Sequence, residues 1–239
     1  MDYFDKYAKS YDFKITEISY KYYHSYRVKD LMIVIAKSMN LPIYDVELAG
    51  IIGLLHDIGR FPQFERFHSF DDSNIDHGDL GEEILRKDKA LKNYDIKEED
   101  YEVVYKAIRN HNKYKIEDNL TKRELLFSKM IRDADKLDII YAVGNSEIKS
   151  VIREDDSEIR DVVSKEFFSN KQVTKLDDET DNENIVIIFS FIYDINFGVS
   201  FTILKYKKYY EKLYDRLKNK ELFKPYIEHL IKYINERVD

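Results

Sequence analysis

Seven glycines and three prolines in 239 residues leave little material for tight turns. Sheet-rich folds spend both at their many chain reversals, where glycine supplies positive φ and proline fixes the first corner. So few of either predicts helices joined by polar connections. Cysteine is absent. That excludes disulfides, zinc–thiolate fingers, cysteine-ligated iron–sulfur clusters and a cysteine nucleophile. An apolar fraction of 44% is ordinary for a packed globular chain.

The apolar pattern agrees with helices. From Ile18 to Met39, the residues Tyr22, Val28, Leu31, Met32, Ile35 and Met39 recur mostly at steps of three and four. This predicts an amphipathic helix, closed by Leu41-Pro42. Val46–Leu55 is almost wholly apolar or glycine and reads as a buried helix. It runs into His56-Asp57-Ile58-Gly59, where Gly59 is expected to supply a left-handed stop. Phe61–Asp76 has no period and reads as an exposed loop. Helices are expected at about Asp76–Leu91, Glu98–Asn112 and Lys122–Val143.

Further on, Ser157–Ser169 can form a helix and Lys171–Asn184 reads as an acid-rich loop. Ile185–Phe201 suits a strand or a buried helix, and the helical context favours the helix. Thr202–Leu217 and Leu222–Val238 read as amphipathic helices. No repeat or Gly/Ser linker interrupts the chain. The expectation is one all-α domain over residues 1–239, a compact multi-helix bundle. Its motif core falls at about 22–141 and a C-terminal helical extension at about 150–239.

Acidic residues outnumber basic ones by 46 to 39, a formal net charge of −7. Broad electrostatic capture of a DNA or RNA duplex is therefore not expected. A small anion is still compatible, because a metal ion or a few local cations reverse the field inside a pocket. The longest apolar stretches, near Ile51–Leu55 and Ile185–Tyr193, fall well short of the ~20 residues that span a bilayer. The start, Met1 to Lys6, has no basic segment followed by an apolar run, so no secretory signal is expected. A reducing cytoplasm is the expected compartment.

The histidines carry the chemistry. His24 shares a helix face with Val28, Leu31 and Ile35. His111 lies on the stripe after Val104 and Ile108. His56 ends an apolar helix beside Asp57. Each is aimed inward, and burying that much imidazole without partners is costly. A divalent metal would satisfy several ring nitrogens at once. Imidazole with carboxylate suits Fe, Mn, Co, Ni or Zn.

These residues form an ordered set. His24 lies inside a helix and is followed by Gly53-Leu54-Leu55-His56-Asp57-Ile58-Gly59-Arg60. Ile75-Asp76-His77-Gly78 opens a helix, Ile108-Arg109-Asn110-His111-Asn112 closes one, and Asp133-Ala134-Asp135-Lys136-Leu137 lies within another. Over Tyr22 to Tyr141 the set resembles the HD-domain superfamily of metal-dependent phosphohydrolases, in its expanded H…HD…H…H…D pattern.

The resemblance implies that His24, His56, Asp57 and Asp135 are core metal ligands. It implies that His77 and His111 are the extra pair of branches holding two ions, with Asp57 bridging them. Among Asp133, Asp135 and Asp138, helix periodicity does not choose; the resemblance selects Asp135. Arg60 matches a position where the family often has a cation near the substrate phosphate. Lys136, Arg27 and Arg66 are lesser candidates for that role. His68 reads as an exposed loop residue and His229 as structural.

The activity implied is hydrolysis of a phosphate ester or anhydride of a nucleotide or small phosphorylated metabolite by metal-activated water. One or two divalent ions would serve, Fe or Mn favoured, with Mg, Co, Ni or Zn compatible. Asp57 would hold the ions or orient the nucleophile, and Arg60 would neutralise a non-bridging oxygen. With one ion, His77 or His111 is free to protonate the leaving oxygen. The chain lacks the Gly-Tyr-Pro signature and adjacent histidines of the cyclic-dinucleotide branch. Two other readings are a non-catalytic nucleotide-sensing module and a di-iron oxygenase of the same helical type.

Overall fold

The computed structural model describes residues 3–145 and 153–238. Every regular element among them is helical, as the scarcity of turn-forming residues predicts. Met1, Asp2 and the expected start of the C-terminal extension near residue 150 lie outside the described residues. Contacts divide the chain into two units, Met1–Asp135 and Lys136–Asp239. None of the described helices is long and apolar enough to cross a membrane.

The first unit opens with α1 (Tyr3–Ala8), α2 (Thr16–Ser38) and α3 (Ile43–Leu55). On α2 the buried residues Val28, Met32, Ile35 and Ala36 follow the predicted stripe, and His24 lies on the same face. The helix ends at Met39, and Asn40 turns left-handed at φ 55° before Leu41-Pro42. Helix α3 is buried over most of Val46–Leu55, as its apolar composition there requires, while its first turn is open, with Ile43 71% exposed. It packs directly on α2. A Cβ on Gly53 would lie 2.8 Å from the Lys29 Cα, so glycine lets the two backbones touch.

The expected loop over Phe61–Asp76 is a helix in its first half. Helix α4 (Arg60–Phe67) buries Phe61, Pro62, Gln63 and Phe64. Eight residues make barely two turns, too few for a period to stand out. Pro62 falls in the first turn, where its missing N–H costs nothing. His68 closes α4 in the left-handed region at φ 50° and is exposed. Helices α5 (His77–Lys87), α6 (Tyr101–Asn110) and α7 (Lys122–Gly144) follow. Asp76 caps α5 by accepting from the Asp79 N–H at 3.0 Å.

The second unit contains the end of α7 and then α8 (Asp161–Phe168), α9 (Asp181–Ser190), α10 (Gly198–Lys207), α11 (Tyr209–Asp215) and α12 (Lys220–Asn235). The acid-rich run expected to be loop ends inside α9. Thr180 and Glu183 form a reciprocal capping box there, and acidic side chains suit a helix N-terminus. Ile185–Phe201 is neither strand nor one continuous helix. A 3-10 turn over Phe191–Asp194 separates α9 from α10. Lys208, left-handed at φ 53°, likewise splits the expected Thr202–Leu217 helix into α10 and α11.

Candidate metal centre

Helices α2, α5 and α7, the C-terminal ends of α3 and α6, and the turn after His56 deliver the inward histidines and carboxylates to one place. His24 comes from the middle of α2. His56 is the C-cap of α3, Asp57 follows it, and His77 is the first residue of α5. His111 is the C-cap of α6, and Asp135 lies on α7. The four imidazoles and Asp57 are fully buried; Asp135 keeps 13% of its side chain exposed.

Gly59 does not act through a left-handed stop. It is right-handed, at φ −68° and ψ −20°. Its role is clearance, because a Cβ there would lie 2.2 Å from the His77 carbonyl oxygen and 2.9 Å from the Gly81 nitrogen. The bare backbone lets the start of α5 press against the His56–Gly59 turn and brings His77 beside Asp57.

Asp57 stands at the middle. Its Oδ2 lies 3.3 Å from His24 Nε2 and 3.4 Å from His56 Nε2. Its Oδ1 lies 3.3 Å from His77 Nε2 and 3.5 Å from His111 Nε2. Each oxygen thus faces a different pair of imidazoles. The Asp135 Oδ1 joins the first pair, 3.1 Å from His24 Nε2 and 3.6 Å from His56 Nε2. Two groups, His24 with His56 and Asp135, and His56 with Asp57 and His111, each gather their ligand atoms within 4.8 Å of one another.

The outer nitrogens of three rings are fixed. His56 Nδ1 donates to the Gly53 carbonyl at 2.8 Å, and His111 Nδ1 to the Ile108 carbonyl at 2.5 Å. Both use the same local device, the carbonyl three residues back in the last turn of the helix that each residue caps. His77 Nδ1 donates to Asp72 Oδ1 at 2.7 Å. With the proton on Nδ1, a neutral ring turns a lone pair on Nε2 toward the centre. His77 Nε2 and His111 Nε2 are 2.9 Å apart, and His24 Nε2 and His56 Nε2 are 3.1 Å apart. Lone pairs at that separation repel unless a proton or a cation lies against them. The donor set therefore fits divalent metal ions.

The electrostatics keep both carboxylates anionic and His111 neutral, while the carboxylates favour a proton on His56. Burial pushes both carboxylates up. Lys21 and His56 nevertheless hold Asp57 well below the ordinary carboxylate range, and hydrogen bonds from His24 and His56 do the same for Asp135. Burial pushes the His111 imidazole down to about 4, leaving it neutral and able to ligate at neutral pH. Burial also opposes protonation of His56, but Asp57 and Asp135 raise it above its ordinary value.

All six expected ligands converge. Arg60 is also close, its Nε 3.8 Å from Asp57 Oδ1. Its Nη1 is engaged elsewhere, donating to Gln63 Oε1, the Phe70 carbonyl and Asp72 Oδ1 at 2.8, 2.6 and 3.0 Å. Arg27 stacks over the Tyr20 ring, Arg66 is exposed, and His229 hydrogen-bonds Asn170. Lys136 pairs with Asp194 at 2.8 Å. Asp133 and Asp138 are buried polar residues of α7.

Three residues at the centre escape a reading of the sequence. Lys21 places its Nζ 2.7 Å from Asp57 Oδ2; its only local signal is that it precedes His24 by one helical turn. Asp72 accepts from His77, Arg60 and Gln63, and the aperiodic stretch around it offers no signal. Arg132, fully buried one turn before Asp135, donates to the carbonyls of Asn110, His111, Lys113 and Tyr114. It thereby ties α7 to the turn that carries His111.

Residues 22–140 match the family model of the HD domain, and all six convergent ligands fall within that span. No curated protein matches the chain, and no solved structure does. The chain belongs to the HD-domain superfamily of metal-dependent phosphohydrolases.

Proposed function

We propose that this protein is a metal-dependent phosphohydrolase that cleaves a phosphate ester or anhydride of a nucleotide or similar small phosphorylated metabolite. Its ligands are His24, His56, Asp57, His77, His111 and Asp135. The observation that carries the reading is the division of Asp57, with one oxygen toward His24 and His56 and the other toward His77 and His111. A single carboxylate so placed suits a bridge between two ions.

A divalent ion held there supplies Lewis acidity, lowering the pKa of bound water toward neutrality and offsetting phosphoryl charge. The chain's own groups do the rest. Gly53, Ile108 and Asp72 hold three imidazoles by their outer nitrogens, so the ligand geometry is set before any substrate arrives. Arg60 holds Phe70 and Asp72 through Nη1 and keeps its Nε toward Asp57. The Nε–H there would be available to donate to a non-bridging phosphoryl oxygen. His111, neutral at pH 7, serves as a ligand rather than a general acid.

The test is metal content per chain by elemental analysis, on wild type and on the double variant His56→Ala, Asp57→Ala. It is paired with phosphate release from a nucleotide panel in Mn and in Fe(II). About two ions per chain, lost in the double variant, with phosphate release, is the expected result. Equal metal in wild type and variant would refute the ligand assignment. Iron-dependent oxygen consumption without phosphate release would move the protein to the oxygenase reading. Nucleotide binding without turnover in any metal would make it a sensing module.

A further inference from the structure

Asp57 has a cation beside each carboxylate oxygen: Lys21 Nζ lies 2.7 Å from Oδ2 and Arg60 Nε lies 3.8 Å from Oδ1. The two are not equivalent. Arg60 is held by its three Nη1 acceptors, Gln63, the Phe70 carbonyl and Asp72. Among the described residues, the Lys21 ammonium makes its one hydrogen bond with Asp57. Its other neighbours are aromatic faces, with the Tyr20 and Phe70 ring centroids 5.9 and 5.4 Å from Nζ. The Phe70 ring is shared, lying 5.4 Å from the Arg60 guanidinium carbon as well. Lys21 is thus a nearly buried ammonium, 12% exposed, on a flexible four-carbon stem beside the ligand set.

The Asp57 oxygen that Lys21 takes is also the one that faces His24 and His56. An ammonium and a divalent cation on one carboxylate oxygen repel each other. The partner on a rotatable stem is the one that yields. Released from Asp57, Lys21 Nζ would still have the Tyr20 and Phe70 faces near it, at the edge of the centre. The anionic atoms that would meet it there are the oxygens of a phosphoryl group.

We propose that Lys21 is a substrate-binding residue that serves in two positions. It neutralises Asp57 when that carboxylate holds no metal, and it turns to a non-bridging phosphoryl oxygen when Asp57 is engaged by a divalent cation. Arg60 stays fixed and organises the loop, and Lys21 supplies the mobile contact. This rests on the phosphohydrolase reading and adds to it the residue that selects for a phosphoryl group.

The experiment compares full-length wild type, Lys21→Met and Lys21→Arg in two titrations. Manganese is titrated into each metal-free protein, and inorganic phosphate into each manganese-loaded protein, both by calorimetry. Lys21→Met is expected to bind manganese at least as tightly as wild type, since a competing cation is gone. It is expected to lose about tenfold or more in phosphate affinity, the worth of one charge-assisted hydrogen bond. Lys21→Arg keeps the charge and is expected to recover most of that loss.

Phosphate binding in Lys21→Met equal to wild type would overturn the proposal. So would weaker manganese binding in that variant, which would make Lys21 a support for the ligand carboxylate. If Lys21→Met does not fold, the uncharged Lys21→Gln takes its place in the same two titrations, with the same expected and overturning results. Wild type that takes up manganese and binds no phosphate would overturn the phosphohydrolase reading itself, and this proposal with it.

Discussion

His77 donates its Nδ1–H to Asp72 Oδ1 across 2.7 Å, and Asp72 receives Arg60 Nη1 and Gln63 Nε2 on the same oxygen, each at 3.0 Å. Burial pushes the Asp72 carboxyl up, but the bond from His77 and the nearby Arg60 charge hold it well below the ordinary range. It is therefore an ionised acceptor at neutral pH. One carboxylate in an otherwise irregular loop thus sets the orientation of a candidate ligand and ties it to α4.

Asp72→Ala is expected to release the His77 ring and weaken retention of one ion by about 10- to 100-fold. The ion nearest His24 and Asp135 should be retained. Metal content after dialysis against stepped free manganese reads both. Retention unchanged from wild type would show that His77 needs no orienting partner.

Gly59→Ala puts a Cβ 2.2 Å from the His77 carbonyl oxygen, a backbone atom that cannot swing away. The α5 start must shift relative to the His56–Gly59 turn. The expected cost is about 1–3 kcal/mol or more in urea unfolding, the range for overpacking a tight contact. Metal retention should fall with it, because the shift separates His77 from Asp57. Wild-type stability in this variant would contradict the close approach.

Arg132→Met would leave carbonyls at the end of α6 without their donor in a dry interior. Orphaned buried acceptors predict a loss on the order of 3 kcal/mol. Arg132→Lys should recover only part of it, since one ammonium does not reproduce the fork of a guanidinium. Urea denaturation of the three proteins ranks them, and equal midpoints would refute the role.

Glu183 gives the second unit an acid dependence. Its carboxylate meets Arg160 Nη2 at 2.6 Å, which lowers it from 4.5 to about 2. A carboxylate depressed in the folded state binds its proton more readily when unfolded, so acid favours unfolding. Its contribution is present above about pH 4.5 and is lost as pH falls toward about 2. Glu183→Gln is expected to flatten stability across that window. It should also lower stability at pH 7 by about 1 kcal/mol, because the neutral amide keeps the capping box and loses the ion pair with Arg160. Parallel pH profiles for the two proteins would exclude this origin.

The inward histidines are legible in the chain because each lies on a strongly patterned element or at its end, whereas Asp135 stands out from Asp133 and Asp138 only through the family resemblance. His24 rides the α2 stripe, and His56 and His111 close helices whose apolar faces point inward. His77 opens a helix that Asp76 caps. What escapes is what the pattern does not encode. Helix α4 is too short to show a period. Asp72 lies in a stretch with no period at all. Lys21 looks like an ordinary solvated lysine until Asp57 is placed beside it.

The amino-acid sequence by itself determined the helical class, through its poverty in glycine and proline, and the identity of the inward imidazoles, through their helical spacing. Periodicity states which way a side chain points from its own axis, and that much is local. The tertiary structure decided the distances between axes. It put His24 and His56 on one oxygen of Asp57 and His77 and His111 on the other. It made Gly59 a point of backbone contact rather than a left-handed turn, and it left Arg60 anchored while Lys21 stayed on a movable stem. Those relations depend on how closely packed helices approach, and packing is a property of surfaces brought together from distant parts of the chain.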